Sequence, residues 1–257
     1  MKDQTINQAR AVYYGMFSRF FVYSQNTSRY FELLNMIKIL KENPLDASTA
    51  SALETIECKI EKDSNVTLVQ EYDDIFYNPS TTTIRTTASY YDEQIESGKK
   101  RLEMLDFLAK TKIRRDEKIF TENEDSLGFI FTVMSELISL IVEGEEQYNT
   151  LQHCMFTEIL NDFVDQISRE IYEHESADIY KDVIVVLQAF MEFERLYLEV
   201  SRPKLKSREE FVRTFTDVEE LSDTERERRA RNRALREAGP KKEQEKVFVT
   251  YDVESDI

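Results

Sequence analysis

Apolar residues recur at three- and four-residue steps through most of the first 200 positions, a spacing that gathers them on one face of an α-helix. The strongest example lies in residues 121–138, where an acidic cluster precedes an apolar run: Leu127, Ile130, Phe131, Met134, Leu137 and Ile138. This stretch predicts a central buried helix whose acidic N-terminal end faces outward. Similar stripes predict further helices over these ranges: 3–24, 28–41, 46–61, 66–77, 92–112, 145–175 and 177–200.

Two segments depart from this pattern. Residues 80–91 contain seven Ser or Thr residues in twelve positions, and because these residues favour turns, the segment predicts a loop. Residues 219–238 are almost all charged, have no apolar stripe and precede Gly239-Pro240, which predicts an exposed, transient helix. The predicted fold class is therefore all-α: a single multi-helix bundle over residues 1–200, followed by a charged, mobile C-terminal tail over residues 201–257 that is partly helical or disordered.

Composition agrees with a helical protein, since the 257 residues include only five Gly and four Pro. No segment reaches about 18 consecutive apolar residues, so no membrane span is expected. The N-terminus lacks the basic-then-apolar pattern of a secretory signal. Cys58 and Cys154 lie far apart and form no CxxC pair, which favours reduced thiols. Together these features predict a cytoplasmic protein.

The negative charge is concentrated in one segment. The net charge is −16, yet residues 201–257 contain 14 basic and 14 acidic residues, and residues 122–199 contain 18 acidic against three basic residues. Such a field repels nucleic acid and anionic lipid and attracts basic ligands. The alternative, that the acids only keep the protein soluble, explains a net charge but explains its concentration less well.

The sequence offers no candidate catalytic or metal-binding residues. His153 and His174 do not form the ExxH pattern of di-iron bundles, and no GxSxG motif or Gly-rich phosphate loop is present. We therefore predict a protein without catalysis, metal or cofactor. The arginines of the tail alternate with glutamates and lack interleaved aromatics, which disfavours RNA binding.

Two features of the sequence, an acidic cluster and an aromatic cluster, each have two interpretations. The acids of residues 122–125 are either a binding site or part of a helix cap, because Thr121-x-x-Glu124 fits a capping box. An aromatic cluster is either core or part of a binding groove: Tyr72, Phe76, Tyr77, Tyr90 and Tyr91.

Three segments resemble motifs of the TorD/DmsD/NarJ family, cytoplasmic chaperones that mature molybdenum-containing redox enzymes. Residues 71–79, EYDDIFYNP, are similar to E-Y-x-x-L-F-x-x-P. Residues 89–91, SYY, resemble the end of an E-S-V-Y-like motif, and residues 122–134, ENEDSLGFIFTVM, resemble E-P-x-D-H-x-G-x-x-L-x-F-M. The similarity runs over residues 8–200, with Asn123 in place of the proline and Ser126 in place of the histidine of the third motif.

The resemblance implies a chaperone that binds the twin-arginine signal peptide of a molybdo- or tungsto-oxidoreductase and assists its cofactor insertion and export. A formate dehydrogenase is the favoured client, because the divergent motifs fit a specialised branch. Carboxylates beside an apolar groove suit a peptide with a basic region followed by an apolar stretch. The predicted peptide-binding residues are Tyr72, Ile75, Phe76, Ser89, Tyr91, Glu122, Glu124, Asp125, Ser126 and Phe129.

The implied partners are the signal peptide and the apo-form of the client's catalytic subunit, with neither nucleic acid nor stable membrane insertion. The protein is expected to be a monomer or a domain-swapped homodimer, in which helices joined by the 80–91 loop exchange between protomers. The alternative function is a non-catalytic helical adaptor or scaffold that recruits partners through its charged tail.

Overall fold

The computed structural model describes residues 2–23, 27–116 and 120–203, which form α-helices and connecting loops without a β-strand. The helices are α1 (Lys2–Phe21), α2 (Thr27–Glu42), α3 (Ala47–Lys59), α4 (Val66–Phe76), α5 (Ala88–Glu93), α6 (Lys99–Ala109), α7 (Leu127–Val142), α8 (Tyr148–Met155), α9 (Asn161–Glu173) and α10 (Ile179–Tyr197). A π-helical segment, Phe156–Leu160, joins α8 to α9. The all-α prediction is confirmed for this part of the chain. The predicted helix at 219–238 and nearly all of the predicted tail lie outside the described residues.

Helix α7 lies at the centre of the core. All six apolar positions that predicted a buried face are fully buried. The ring of Phe131 lies 5.5 Å from the ring of Phe17 and 5.7 Å from that of Phe21, both on α1. On the other side of α1, the ring of Tyr13 stacks 4.8 Å from Phe190 of α10. Aromatic contacts of this kind join α1, α7 and α10 into one core.

Gly128 allows α1 and α7 to approach closely. A Cβ atom added at this position would lie 2.2 Å from the carbonyl oxygen of Phe21, which is backbone and cannot rotate away. The end of α1 therefore contacts the first turn of α7 directly. This contact also places the residues that follow α1 beside the loop that precedes α7.

A buried ion pair joins α1 to α10. The guanidinium of Arg10 donates to Glu194 from Nε (2.5 Å) and Nη2 (2.7 Å), and both side chains are almost fully buried. Tyr14 donates a further hydrogen bond to Glu194 (2.9 Å). Arg10 Nη1 also donates to two neutral acceptors, Asn7 and Gln152. Buried charges are tolerated when every charged atom is paired in this way.

Glu71, the first residue of the 71–79 segment, caps the N-terminus of α10. Its buried carboxylate accepts three backbone N–H groups: Asp178 (2.7 Å), Ile179 (3.1 Å) and Tyr180 (2.9 Å). These N–H groups lack helical partners and form the positive end of the helix dipole, so a carboxylate stabilises them. The Tyr180 hydroxyl donates to the carbonyl of Phe20. The segment thus ties α4 to α10, and α10 to α1.

The region of residues 80–112 differs from its prediction. Helix α5 begins inside the predicted 80–91 loop, and the predicted 92–112 helix is interrupted at Gln94, which adopts a left-handed conformation (φ 57°). The chain resumes at α6 after Gly98. The apolar stripe that suggested one continuous helix includes Ile95 and Leu102, which are exposed. Because these residues are not packed in the core, their spacing did not indicate whether the segment forms one continuous helix.

We predict that Gly128→Ala destabilises the protein by about 2–3 kcal/mol, because the new methyl group must displace backbone in a packed core. Gly15→Ala is the matched control, since its Cβ would meet the flexible end of Met36 at 3.2 Å. Helix propensity favours alanine there. Urea unfolding of both variants measures the difference, and equal stability of the two variants would contradict the close contact of α1 with α7.

Candidate functional site

The acidic loop, residues 121–126, lies before the central helix and not within it. Helix α7 begins at Leu127, with Ser126 at the N-cap position, and the Ser126 side chain makes no capping hydrogen bond. The predicted capping box of Thr121 and Glu124 is therefore wrong. The acids do not occupy the first turn of α7, and tertiary contacts determine their positions.

Backbone pairing with the Thr-rich segment holds the acidic loop. Thr87 and Ser126 form an isolated antiparallel bridge. The N–H of Ala88 donates to the carbonyl of Asp125 (2.9 Å), and the N–H of Leu127 donates to the carbonyl of Thr86 (2.9 Å). The segment that the sequence predicted as a flexible loop thus supplies partners for the backbone groups just before α7.

Two arginines neutralise Glu124. Arg101 Nε donates to Glu124 Oε2 (2.8 Å), and Arg115 Nε lies 2.9 Å from Oε1. The side chain of Glu124 is only 9% exposed. Burial opposes its ionisation, but the hydrogen bond from Arg101 and the charges of both arginines prevail and lower the pKa of Glu124. This carboxylate is occupied by internal partners.

Asp125 is fully buried and joins the loop to α5. Its Oδ2 accepts the backbone N–H of Ser89 (2.9 Å). The Ser89 hydroxyl in turn accepts the backbone N–H of Arg101 (3.2 Å), at the start of α6. Burial raises the pKa of Asp125, although the hydrogen bonds at Ser89 oppose that shift. Asp125 and Ser89 therefore hold three segments together beneath the surface.

Glu122 has different surroundings, since its carboxylate is held by neutral hydroxyl groups. Tyr72 and Tyr77 each donate to Oε1 (2.9 Å), and Thr86 donates to Oε2 (3.2 Å). No ion pair to the Glu122 side chain is found within the described ranges. Burial, and then the charge of Glu122, raise the pKa of both tyrosines, so the hydroxyls stay protonated as donors. Glu122 is partly exposed.

Two cavities lie near Glu122, and Glu122 lines the smaller one. The smaller cavity, about 230 Å³, is lined by Val22, Tyr23, Phe120, Thr121, Glu122 and Ser126. The larger cavity, with about 420 Å³ of space that is partly open to solvent, lies among the end of α1, the start of α2 and the start of α4, and Tyr72 lines it. Both cavities share Val22 and Tyr23 as lining residues. The lining is mostly apolar and aromatic, with Glu122 in the smaller cavity and two arginines, Arg19 and Arg29, in the larger one.

The predicted site residues separate into two groups. Tyr72, Glu122 and Ser126 line the cavities, although Tyr72 and Ser126 are themselves largely buried. The remaining predicted residues are buried in the interior: Ile75, Phe76, Ser89, Tyr91, Glu124, Asp125 and Phe129. Among them, Tyr91 donates to Glu170 (2.7 Å) and lies 5.6 Å from the ring of Phe163, as a core residue does.

Several residues at the cavities and around Glu122 were absent from the predicted site, among them Tyr23, Tyr77, Thr86 and Phe120. Tyr77 lies in the 71–79 segment, so the family-like motif held a signal for it. Tyr23 follows α1 and Phe120 precedes the acidic loop, and neither belongs to a motif. Only the packing of α1 against α7 brings these two residues together.

No group of three or more His, Cys, Asp or Glu side chains that could hold a metal ion is found in the described part of the chain. His153 and His174 instead contact the backbone carbonyls of Leu198 (3.1 Å) and Thr82 (3.0 Å). None of the described helices combines the length and apolarity needed to cross a membrane.

The model of the nitrate reductase delta subunit family matches residues 42–169, about half of the chain. The protein belongs to this family. The match covers α3 to α9 and includes the 71–79 segment, the Thr-rich segment and the acidic loop, and it confirms the predicted membership in a NarJ/TorD-type chaperone family.

A solved structure from Archaeoglobus fulgidus, "Crystal Structure Of A Putative Redox Enzyme Maturation Protein", is 15% identical in sequence and has a TM-score of 0.44. The similarity covers 72% of this chain and 93% of that chain. None of the curated proteins matches the chain.

We predict that Glu124→Gln lowers the free energy of unfolding by about 1–3 kcal/mol at neutral pH, because it removes a hydrogen-bonded buried charge from two arginines. The pKa of Glu124 is lowered in the folded state. Its contribution is therefore complete above the unfolded value of 4.5 and is lost as the pH falls through the folded value. Denaturant unfolding from about pH 7 down to about pH 2 measures this loss.

Glu57→Gln is the control for this prediction, since it removes the same charge from an exposed pair with Lys41. Exposed pairs contribute little, so we expect a smaller change. If Glu124→Gln and Glu57→Gln were equally stable at every pH, Glu124 would not be the paired anchor described above.

Proposed function

We propose that this member of the nitrate reductase delta subunit family is a system-specific chaperone that binds the twin-arginine signal peptide of a molybdo- or tungsto-oxidoreductase. It acts in the cytoplasm without catalysis of its own and assists cofactor insertion and export. A formate dehydrogenase is the proposed client. The observation that carries this proposal is a carboxylate, Glu122, that has no cationic partner among the described residues and lines an apolar and aromatic cavity.

Glu122 is suited to receive a guanidinium group. A carboxylate has about four acceptor positions, and hydroxyls of the described residues occupy three. Tyr77 is 53% exposed, so its hydroxyl can leave without opening the core. An arginine of the peptide would replace a neutral hydrogen bond by a charge-assisted and stronger one. The planar fork of arginine fits a carboxylate better than the ammonium of lysine does.

The smaller cavity is suited to the apolar part of such a peptide. Val22, Tyr23 and Phe120 surround the smaller cavity next to Glu122. An arginine held at Glu122 would therefore place the following apolar residues against aromatic and aliphatic walls. Burial of apolar surface adds roughly 25 cal/mol per Å² to binding, while the carboxylate fixes the orientation of the peptide.

The proposed roles of the three acids now differ. Glu122 contacts the peptide, whereas Glu124 and Asp125 position the loop through Arg101, Arg115 and Ser89. If Glu124 contacted the peptide directly, it would have to release Arg101 and Arg115. If Asp125 did so, the core would have to open. The acidic segment 122–199 adds long-range attraction, so association should slow as salt is added.

The adaptor alternative depends on the charged tail. That tail lies outside the described residues, so no observation here favours it. The domain-swapped homodimer is likewise a prediction from the sequence, and it awaits a measurement of molar mass in solution.

We expect Glu122→Gln to weaken binding of a twin-arginine peptide about 10- to 100-fold, which corresponds to roughly 1.5–3 kcal/mol for a hydrogen bond to a charged group. Isothermal titration with the candidate client's signal peptide measures this loss. The same peptide with both arginines changed to lysine should bind the wild-type protein more weakly and should respond less to Glu122→Gln.

Glu173→Gln serves as the control, because it removes the same charge from an exposed position on α9. Its affinity should stay close to that of the wild type. The proposal fails if no twin-arginine peptide binds, or if Glu122→Gln and Glu173→Gln bind equally well.

A further inference from the structure

Two arginines line the larger cavity of an otherwise strongly acidic protein. Arg19 lies near the end of α1 and Arg29 near the start of α2, and both side chains border the same space of about 420 Å³. The net charge of the chain is −16. The presence of two arginines at one cavity of so acidic a protein indicates a specific role for their positive charge.

The two guanidinium groups are incompletely satisfied. The Nε atoms of Arg19 and Arg29 are both buried and have no hydrogen-bond partner in the described part of the chain. Arg19 uses its Nη atoms on the carbonyl of Gly15 (3.3 Å) and on Glu32 (2.7 Å), an exposed surface pair. Buried N–H donors without acceptors cost free energy in the empty protein.

The positive charge of Arg29 is offset less by nearby negative charge than that of Arg19. No ion pair to its side chain is found among the described residues, and its guanidinium lies 5.7 Å from the ring centroid of Phe120. Burial, together with repulsion from Arg19, lowers the pKa of Arg29, and Glu32 offsets this only in part. An anion placed between these arginines would reverse both effects.

The remaining walls of the cavity define the rest of the ligand. Apart from Asn65 they are apolar or aromatic, and include Leu33, Leu68, Val69, Tyr23 and Tyr72. Arginine forks match the oxygens of phosphate and carboxylate groups.

We propose that the larger cavity is an anion site that binds a small molecule with a phosphate or carboxylate group on a ring-bearing or apolar body. Arg29 and Arg19 hold the oxyanion, and the tyrosine and aliphatic side chains cover the body. This site is separate from Glu122 in charge and in ligand. Val22 and Tyr23 line both cavities, and the two arginines line the larger one.

Three probes of equal ring size test the site: phenyl phosphate, benzoate and neutral benzyl alcohol. Thermal unfolding and isothermal titration should show binding of at least one anion at concentrations where benzyl alcohol has no effect. A response to phenyl phosphate alone identifies a phosphate ligand, and a response to benzoate alone identifies a carboxylate ligand. Equal responses to all three probes, or no response to any, would overturn the proposal.

Variants assign the binding to the arginines. Arg29→Met should weaken anion binding at least tenfold while leaving the empty protein at least as stable as the wild type, because an uncompensated charge is removed. Arg19→Gln should weaken binding as well. Arg169→Gln, at an exposed position on α9, is the charge-matched control and should bind as the wild type does. Unchanged binding in Arg29→Met would contradict the assigned site.

Discussion

The arrangement of the site depends on the pairing between the acidic loop and the Thr-rich segment. Asp125 accepts the N–H of Ala88 on its carbonyl and the N–H of Ser89 on its side chain, both at 2.9 Å. This pairing fixes the chain before α7, so that the helix begins at Leu127. With the backbone held there, Glu124 turns inward to Arg101 and Arg115 while Glu122 stays at the surface.

Three acids within four residues therefore have three different environments. Two cations neutralise Glu124, deep burial raises the pKa of Asp125, and neutral hydroxyls surround Glu122. Glu124 and Asp125 thus stabilise the fold, whereas the carboxylate of Glu122 remains at the surface. Glu71, in the 71–79 segment, is a further structural carboxylate, because it caps the N-terminus of α10. Glu71, Glu124 and Asp125 are thus structural, and the number of acidic residues alone does not locate a binding site.

Hydrophobic spacing predicted most of the helices and the buried face of α7, because burial of a stripe is a local property of the sequence. Hydrophobic spacing gave the wrong prediction for residues whose positions depend on contacts with residues distant in the sequence. The pattern Thr121-x-x-Glu124 looked like a cap, yet Arg101, Arg115 and Ser89 hold these residues elsewhere. The predicted apolar contacts Ile75 and Phe129 are core, whereas Tyr23 and Phe120 meet at a cavity only through the contact of α1 with α7.

We propose that Glu122, and not its acidic neighbours, binds an arginine of the signal peptide. A double-mutant cycle tests this contact by combining Glu122→Gln or Glu124→Gln with replacement of each peptide arginine by glutamine. We expect a coupling free energy of at least about 1 kcal/mol between Glu122 and one arginine, and a value near zero for Glu124. Coupling to Glu124 with none to Glu122 would contradict it.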